Sequence, residues 1–452
     1  MTDPITLGIL ALVILIVLIA IRIPIAYSMI LVGGAGIALL NGPALLLSQL
    51  KTLGYGQFSI YDLSVVPMFI LMGELATGAG LSQALFRGAN AWLGWMRGGT
   101  AMAAIAGCAG FGSVCGSSLA TASTMGKVAL PELKRYNYSG ALATGSLAAG
   151  GVLGILIPPS VVLIVYAVIV EANIVTMFAA ALLPGILAVI LFILTIALYV
   201  TIRPEAGPPG GASTRSEFLR ATLGLLPVMV IFGLVLGGIY AGFFNPTPAA
   251  AVGVFLVWLY GAAKGRLGLG ATVAALKATA RTSGMIYLIL LGAELMKIFM
   301  SRIGLPQQAA TWIAESGMAP MMVLILLLLA LILLGCLMDS LSMILLVIPF
   351  FWPMLLEING GLYQGAEGSG FGMSTEELKV WFGILALIVV ELGLITPPVG
   401  MNVFIISALA KDTPMIETFK GVAPFFAAEL LRVGLLLAFP ALTLWLPRLL
   451  GG

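Results

Sequence analysis

The sequence contains no histidine, and only 9% of its 452 residues are charged. Soluble domains carry about 25% charged residues, so this composition excludes an ordinary soluble protein. Without histidine the chain lacks the usual base of a serine enzyme, which argues against a rhomboid-like intramembrane protease. A presenilin-like protease is also disfavoured, because Asp339 has neither a Gly-x-Gly-Asp motif nor a paired aspartate. We therefore expect that the chain is not an enzyme.

Cysteine is scarce as well. Cys108, Cys115 and Cys336 lie in apolar segments and show neither disulfide nor zinc-site spacing. The sequence has no GxxxxGK[ST] phosphate-binding loop, which argues against an ATP-driven pump. A formal charge of +3 on a chain of this length indicates no partnership with nucleic acid.

Hydrophobic residues make up 61% of the chain. Runs such as "LGILALVILIVLIAI" and "VLILLLLALILLG" approach the roughly 20 residues that cross a bilayer as a helix. The first run follows "MTDP" and has no basic n-region, so we interpret it as a retained helix rather than a signal peptide. The composition predicts an all-α polytopic membrane protein, and we expect about ten crossings.

The chain repeats itself across a polar stretch. "TIRPEAGPPGGASTRSEF" predicts a surface linker, placed at 201–222, between two near-equal halves. On either side the same motifs recur in the same order: "MGELATGAGLSQAL" with "GAELMKIFMSRIGLPQQA", "SVCGSSLA" with "CLMDSLSM", and "GILIPPSV" with "GLITPPVG". The shared order indicates an internal duplication.

The distribution of charge predicts how the two halves face the membrane. The linker is basic, and the segment 264–281 carries four basic residues and no acid, so both belong to the cytoplasmic side. The segment 357–378 carries four glutamates and is assigned to the outer side. Matching elements then lie on opposite faces, which makes the repeat inverted, as in many secondary transporters.

Two apolar pairs, 98–133 and 319–354, do not fit this count as double crossings. Small polar residues interrupt each of them, "GSVCGSS" in the first and "GCLMDS" in the second. A re-entrant hairpin fits both the count and the polar tip, because non-helical backbone at membrane depth must be covered by protein or line a watery cavity. The first hairpin is predicted on the cytoplasmic side and the second on the periplasmic side.

Each half also contains two adjacent prolines within apolar sequence. Pro158-Pro159 and Pro397-Pro398 supply no backbone donors, so each pair is expected to break its helix. The carbonyls expected to lose their donors belong to Gly154, Ile155, Gly393 and Leu394. Exposed carbonyls suit a hard cation and the free N–H groups of the next half-helix suit an anion, although a simple kink is the plainer alternative.

Polar side chains near the hairpin tips are the remaining candidates. Ser117 and Ser118 offer hydroxyls, with small-residue helix packing as the alternative. Asp339 follows a long apolar run, where an acid costs about 2.5–3.5 kcal/mol on insertion. Glu74 and Glu294 occupy matching positions and are equally compatible with structure and function.

Two further residues are candidates for substrate contact. Arg302 lies where a helix reaches the outer surface, so snorkelling is the plainer interpretation and a carboxylate contact the alternative. Asn402 is able to donate to a substrate or cap a half-helix. The full candidate substrate set is Ser117, Ser118, Ser340, Asn402 and Arg302.

The blocks "FGSVCGSSLATASTMGKVALPEL", "LGILIPPS", "GCLMDSLSMILLVIPFFWP" and "LITPPVGMNVF" resemble the large membrane subunit of tripartite ATP-independent periplasmic (TRAP) transporters. The resemblance covers most of the chain. It implies an elevator-type sodium symporter in the bacterial inner membrane that works with a small four-helix subunit and a periplasmic binding protein carrying an organic acid. It further implies scaffold helices at 1–61 and 223–283 and transport-domain halves at 62–200 and 284–452.

The resemblance also implies two sodium sites. The first consists of Cys115, Gly154, Ile157 and Pro159, mostly through carbonyls, and the second of Asp339, Gly393, Thr396 and Pro398. Cys115 stands where serine is usual, so only its carbonyl is expected to serve as a ligand. A stand-alone sodium symporter of the divalent-anion type is the alternative, since it also uses hairpins but needs no binding protein.

Overall fold

The computed structural model describes residues 4–211 and 214–450, and these residues form twenty α-helices, two 3₁₀ helices and no strand. In chain order the α-helices are α1 (Pro4–Ala20), α2 (Ile25–Asn41), α3 (Pro43–Phe58), α4 (Val65–Ala79), α5 (Leu81–Leu93), α6 (Gly99–Cys115), α7 (Ser118–Arg135), α8 (Gly140–Leu156), α9 (Val161–Val170), α10 (Ile174–Ile202), α11 (Arg215–Tyr240), α12 (Pro246–Ala263), α13 (Leu269–Ile303), α14 (Leu305–Glu315), α15 (Pro320–Gly335), α16 (Ser340–Asn359), α17 (Thr375–Gly393), α18 (Met401–Leu409), α19 (Met415–Ala438) and α20 (Ala441–Leu450). The all-α prediction is confirmed.

Seven helical segments of the described chain are long and apolar enough to cross a membrane, or eight if α8 and α9 form one span bent by 44°. This number is lower than the ten predicted crossings, in part because α1 and α2 are apolar but have at most 17 residues. α16 was assigned to a re-entrant hairpin and is itself among the seven.

The helix boundaries change the predicted linker. α10 continues to Ile202, and α11 begins at Arg215, so residues 215–222 are helical rather than part of the linker. A capping box explains the start of α11: the Glu217 N–H donates to Thr214 Oγ1 at 3.3 Å, and the Thr214 N–H donates to Glu217 Oε2 at 2.9 Å. The helices of the two predicted hairpins are α6 with α7 and α15 with α16.

Helix ends and loops from both halves of the chain meet at each end of the helical bundle. At one end Lys134 Nζ lies 2.6 Å from Asp412 Oδ2, and the Ser139 N–H donates to the Ala206 carbonyl at 2.9 Å. At the other end Lys379 Nζ lies 3.4 Å from the carbonyl oxygen of Glu171. Segments that are distant in sequence are therefore fixed side by side.

A buried ion pair on α19 lies against α10. Arg432 pairs with Glu429, and both side chains are almost fully buried. Arg432 also donates to the carbonyl of Pro184 at 3.1 Å. Pro184 lies inside α10, so the charged pair ties α19 to a neighbouring helix at a place where charge is tolerated only with partners. The sequence analysis did not identify this pair.

Candidate functional site

The first polar tip joins α6 to α7. α6 ends at Cys115, Gly116 has φ +63°, and Ser117 caps α7 by accepting the Ala120 N–H at 3.5 Å. A side chain at Gly116 would be strained, because its φ is left-handed and a Cβ there would lie 3.3 Å from the Pro159 carbonyl oxygen. The predicted tip and the first proline pair are therefore in direct contact.

α6 and α8 approach each other closely beside this tip. A Cβ on Gly112 would lie 2.3 Å from the Gly154 Cα, and a Cβ on Gly154 would lie 2.8 Å from the Ser117 carbonyl oxygen. α8 ends at Leu156, and no backbone N–H beyond α8 in the described chain reaches the carbonyl of Gly154 or Ile155. The predicted loss of donors to these two carbonyls agrees with this hydrogen-bond pattern, although both residues are buried.

The second polar tip joins α15 to α16. Asp339 caps α16, with its Oδ2 accepting the Ser342 N–H at 3.1 Å, and this capping role was not part of the prediction. A Cβ on Gly393 would lie 2.5 Å from the carbonyl carbon of Gly335. The contact of α15 with α17 therefore repeats the contact of α6 with α8, with glycine at both crossing points.

The second proline pair differs from the prediction. The carbonyl of Gly393 accepts the Thr396 N–H at 3.1 Å, and the carbonyl of Leu394 accepts the Asn402 N–H at 3.0 Å. These carbonyls are therefore not left without donors, because the chain turns back after the prolines and brings new N–H groups to them. Pro398 is exposed to solvent or lipid, whereas Pro159 is buried, so the two breaks have different surroundings.

A fully buried carboxylate connects the two tips. Glu391 on α17 is 0% exposed, and its Oε1 accepts hydrogen bonds from Ser118 at 3.3 Å and from Ser340. Its Oε2 has no hydrogen-bond partner among the described residues. The sequence analysis missed Glu391, although the insertion cost that singled out Asp339 applies equally to an acid within "ALIVVELGL".

Both tips open onto one cavity of about 480 Å³. Its acidic side chains are Glu74 and Asp339, and no lysine or arginine lines it. Its other polar lining residues are Thr77, Ser117, Ser118, Thr282 and Ser340. An anion entering this cavity therefore meets negative charge and hydroxyl groups but no basic side chain.

The candidate residues do not all meet at this cavity. Cys115, Ser117, Ser118, Asp339 and Ser340 line it. The candidates outside its lining are Gly154, Ile157, Pro159, Gly393, Thr396, Pro398 and Asn402. Arg302 lies exposed in the last turn of α13 and does not line the cavity, in agreement with its snorkelling interpretation.

Asn402 lies at the start of α18 and is 0% exposed. Neither polar atom of its amide has a hydrogen-bond partner in the described part of the chain. The amide packs against α8, because a Cβ on Gly151 would lie 3.0 Å from Asn402 Nδ2. A polar group of the second half is thus buried against the first half with its hydrogen-bonding capacity unused.

The donor types in this region are those that hard cations prefer. No group of three or more His, Cys, Asp or Glu side chains able to hold a metal occurs within the described residues. The oxygens that do come together are carbonyls, hydroxyls and carboxylates, which hard cations prefer. Near the first tip the carbonyls of Ser117 and Pro159 both lie beside glycines.

The comparisons with known proteins identify the family. The profile described as "Tripartite ATP-independent periplasmic transporter, DctM component" matches residues 12–442. The chain is therefore an integral membrane protein of a transport system rather than an enzyme, with several helices suited to crossing the inner membrane. It belongs to the DctM component family of TRAP transporters, as the resemblance predicted.

Several curated proteins are similar along most of their length. The C4-dicarboxylate TRAP transporter large permease protein DctM of Pseudomonas aeruginosa is 32% identical, with 86% of this chain and 87% of the relative covered. The sialic acid large permease protein SiaM of Vibrio cholerae is 30% identical, with 95% and 96% covered. The ectoine large permease protein TeaC of Halomonas elongata is 28% identical, with 85% and 86% covered.

A solved transporter structure has a related fold. The YdaH transporter of Alcanivorax borkumensis matches with a TM-score of 0.59 and 15% identity, covering 91% of this chain and 89% of that one. At this identity the similarity concerns the fold alone. Membership of a tripartite family implies a small membrane subunit and a periplasmic substrate-binding protein as partners.

Proposed function

We propose that this permease imports an organic acid together with sodium ions, accepting the acid from a periplasmic binding protein. The carboxylates around the central cavity carry this proposal. Glu74 and Asp339 line the cavity, Glu391 is buried behind both tips, and no basic residue lines it. A carboxylate substrate is repelled by such a site unless cations bind with it, since two like charges 4 Å apart cost about 4 kcal/mol at an effective dielectric constant of 20.

We propose two sodium sites, whose carbonyl oxygens differ in the hydrogen bonds that they accept. The first uses the carbonyls of Gly154, Ile157 and Pro159 with that of Cys115, beside the first tip. Its support is the contact of Gly116 with the Pro159 carbonyl and the lack of donors at Gly154. The second uses Asp339, Gly393, Thr396 and Pro398, where the Gly393 carbonyl already accepts a hydrogen bond. A carbonyl oxygen has two lone pairs, so this hydrogen bond leaves the Gly393 oxygen one lone pair for a cation.

The mechanism that we propose is elevator movement of an inverted repeat. In this account α6 with α7 and α15 with α16 are re-entrant hairpins, and the segments around Pro158 and Pro397 are broken membrane helices. The two glycine crossings, Gly112 with Gly154 and Gly335 with Gly393, support the duplication. The contact of Lys134 with Asp412 supports inversion, because it joins the end of a first-half hairpin to a second-half turn.

The substrate is proposed to carry a carboxylate. The relatives named above are described as permeases for C4-dicarboxylates, sialic acid and ectoine, all of which bear this group. Hydroxyls of Ser117, Ser118 and Ser340 lie at the cavity and are proposed to hold the substrate together with Asn402. Neither Asn402 nor Arg302 lines the cavity, so the three serines are the members of the predicted set that the cavity brings together.

The test is uptake by proteoliposomes that contain this chain, its small membrane subunit and the loaded binding protein. Labelled succinate, N-acetylneuraminate and ectoine should be offered separately. We expect one of them to accumulate only with an inward sodium gradient and with a Hill coefficient for sodium above one, since two ions are taken up together. Equal uptake with a potassium gradient would contradict sodium coupling, and equal uptake without the binding protein would favour the stand-alone alternative.

A further inference from the structure

A small basic cavity lies at the end of the bundle that the positive-inside rule assigns to the cytoplasm. It has a volume of about 210 Å³ and lies where α5, α11 and the segment after α12 meet. Its charged lining residues are Arg87, Arg220, Lys264 and Arg266, and no acid lines it. This volume corresponds to about seven water molecules, which suits a headgroup rather than a whole lipid.

A hydrogen bond and close packing fix the position of one of these basic side chains. The Arg266 guanidinium donates to Gln83 Oε1 at 2.8 Å and lies so close to Gly80 that a Cβ there would be 1.6 Å from Nη1. No ion pair joins any of the four basic residues to a carboxylate within the described chain. Arg220 interacts electrostatically with Glu217 on the same helix, and Lys264 Nζ lies 5.9 Å from the centre of the Tyr260 ring. The lining still carries only positive charge, which favours an anion between the four side chains.

The surface beside the cavity is suited to acyl chains. α11 exposes Leu219, Leu223, Leu226, Val230 and Leu234, which follow helical spacing and point along one side. Trp92 is 54% exposed next to α11 and donates its indole N–H to Thr222 at 3.2 Å. Tryptophan is enriched at membrane–water interfaces, which supports placing the nearby cavity at the depth of lipid headgroups.

We propose that this cavity binds the phosphate of an anionic phospholipid whose acyl chains lie along α11. Basic cavities between membrane helices on the cytoplasmic side recognise such headgroups, with about 1 kcal/mol contributed by each lysine or arginine near the surface. A bound phosphate would connect α5 to α11 and α12 through charge. This site is independent of the central cavity and of the substrate.

Native mass spectrometry of the purified chain in detergent tests the proposal, with cardiolipin, phosphatidylglycerol and phosphatidylethanolamine added in turn. The variant Arg87→Gln with Lys264→Gln removes two of the four charges and leaves Arg266 with its structural hydrogen bonds. We expect about 25-fold weaker binding of the two anionic lipids, about fivefold for each charge. The charge-keeping pair Arg87→Lys with Lys264→Arg should retain binding.

The pair Lys277→Gln with Arg281→Gln is the matched control, because it removes the same two residue types from α13 outside the cavity. Equal loss of lipid binding in both double variants would mean that general surface charge attracts the lipid, and this result would overturn the proposal. Phosphatidylethanolamine binding as tightly as phosphatidylglycerol would also overturn it. Displacement of the lipid by inorganic phosphate at an equal concentration would indicate a site for a soluble anion instead.

Discussion

The Ser118 hydroxyl donates to the carboxylate of Glu391 at 3.3 Å, although 273 residues separate them in the chain. Ser340 donates to the same oxygen from the other polar tip. One carboxylate thus holds both tips, one from each half, at the boundary of the central cavity. Movement of either tip has to break a buried hydrogen bond, which contributes about 0.5–1.5 kcal/mol.

The first prediction concerns this carboxylate. Glu391→Gln keeps the shape and leaves an oxygen that accepts from the two serines, but it removes the ionisable acid group. We expect uptake in proteoliposomes to fall at least tenfold while membrane insertion and the melting temperature stay close to wild type. The control is Glu367→Gln, which removes an exposed loop charge. Wild-type uptake by Glu391→Gln would mean that the carboxylate only fills space.

The second prediction separates two roles of Asp339. Asn caps helices as well as Asp does, so Asp339→Asn should fold normally and keep the hydrogen bond from Ser342. We expect it to lose the sodium dependence of uptake. Asp339→Ala also loses the cap, and we expect about 1 kcal/mol of further destabilisation in a denaturation assay. Unchanged sodium dependence in Asp339→Asn would leave Asp339 as a cap alone.

The third prediction concerns the glycine crossings. A Cβ at Gly393 would lie 2.5 Å from backbone of α15, so Gly393→Ala has to separate the two helices. We expect a loss of about 1–3 kcal/mol, as for other overpacked contacts, and strongly reduced uptake. Gly434→Ala on α19 is the control, because no atom lies within 4 Å of its Cβ position. A melting temperature for Gly393→Ala that equals that of the control would contradict the close crossing.

The residues that the sequence analysis found lie in motifs that both halves share, whereas the residue that it missed occurs in one half alone. Ser118 and Asp339 were found because they interrupt apolar runs in matching motifs of the two halves. Glu391 escaped that comparison, since its counterpart two residues before the matching glycine is Val152. A pairing of motifs cannot reveal a residue that only one half contains.

The carbonyls of the second proline pair illustrate a different limit. Proline chemistry predicts which donors disappear, and at Gly154 this prediction agrees with the hydrogen-bond pattern. At Leu394 the replacement donor is the Asn402 N–H, eight residues further along the chain. Its arrival depends on how the chain turns after the prolines, which local sequence rules do not determine. The all-helical fold, by contrast, followed from composition and apolar run length.

The fourth prediction concerns the ion pair that joins the two halves at one end. Lys134 donates to Asp412 and holds the pKa of that carboxyl below its usual value. Because the folded pKa lies below the unfolded value of about 3.9, the stabilisation is present above that value and is lost as pH falls through the folded pKa. Lys134→Gln should therefore lower the melting temperature slightly at neutral pH and not at the most acidic pH tested.

Both partners of this pair are exposed, so 1 M salt should also remove the difference by screening. Lys411→Gln, beside the pair, is the control and should shift the melting temperature less. A difference between wild type and Lys134→Gln that persists in high salt and at acidic pH would show that Lys134 stabilises the protein through packing.

The last prediction concerns the two proline pairs. Pro158→Ala with Pro159→Ala restores two backbone donors at a buried break whose carbonyls at Gly154 and Ile155 have no other backbone donor beyond α8. We expect the helix to continue, the two oxygens to be covered, and sodium-driven uptake to fall below detection while the protein remains folded. Pro397→Ala with Pro398→Ala restores donors where Gly393 and Leu394 already accept hydrogen bonds, so a smaller fall is expected. Sodium titration of uptake for both variants measures this, and wild-type sodium affinity in the first variant would mean that its prolines only bend the helix.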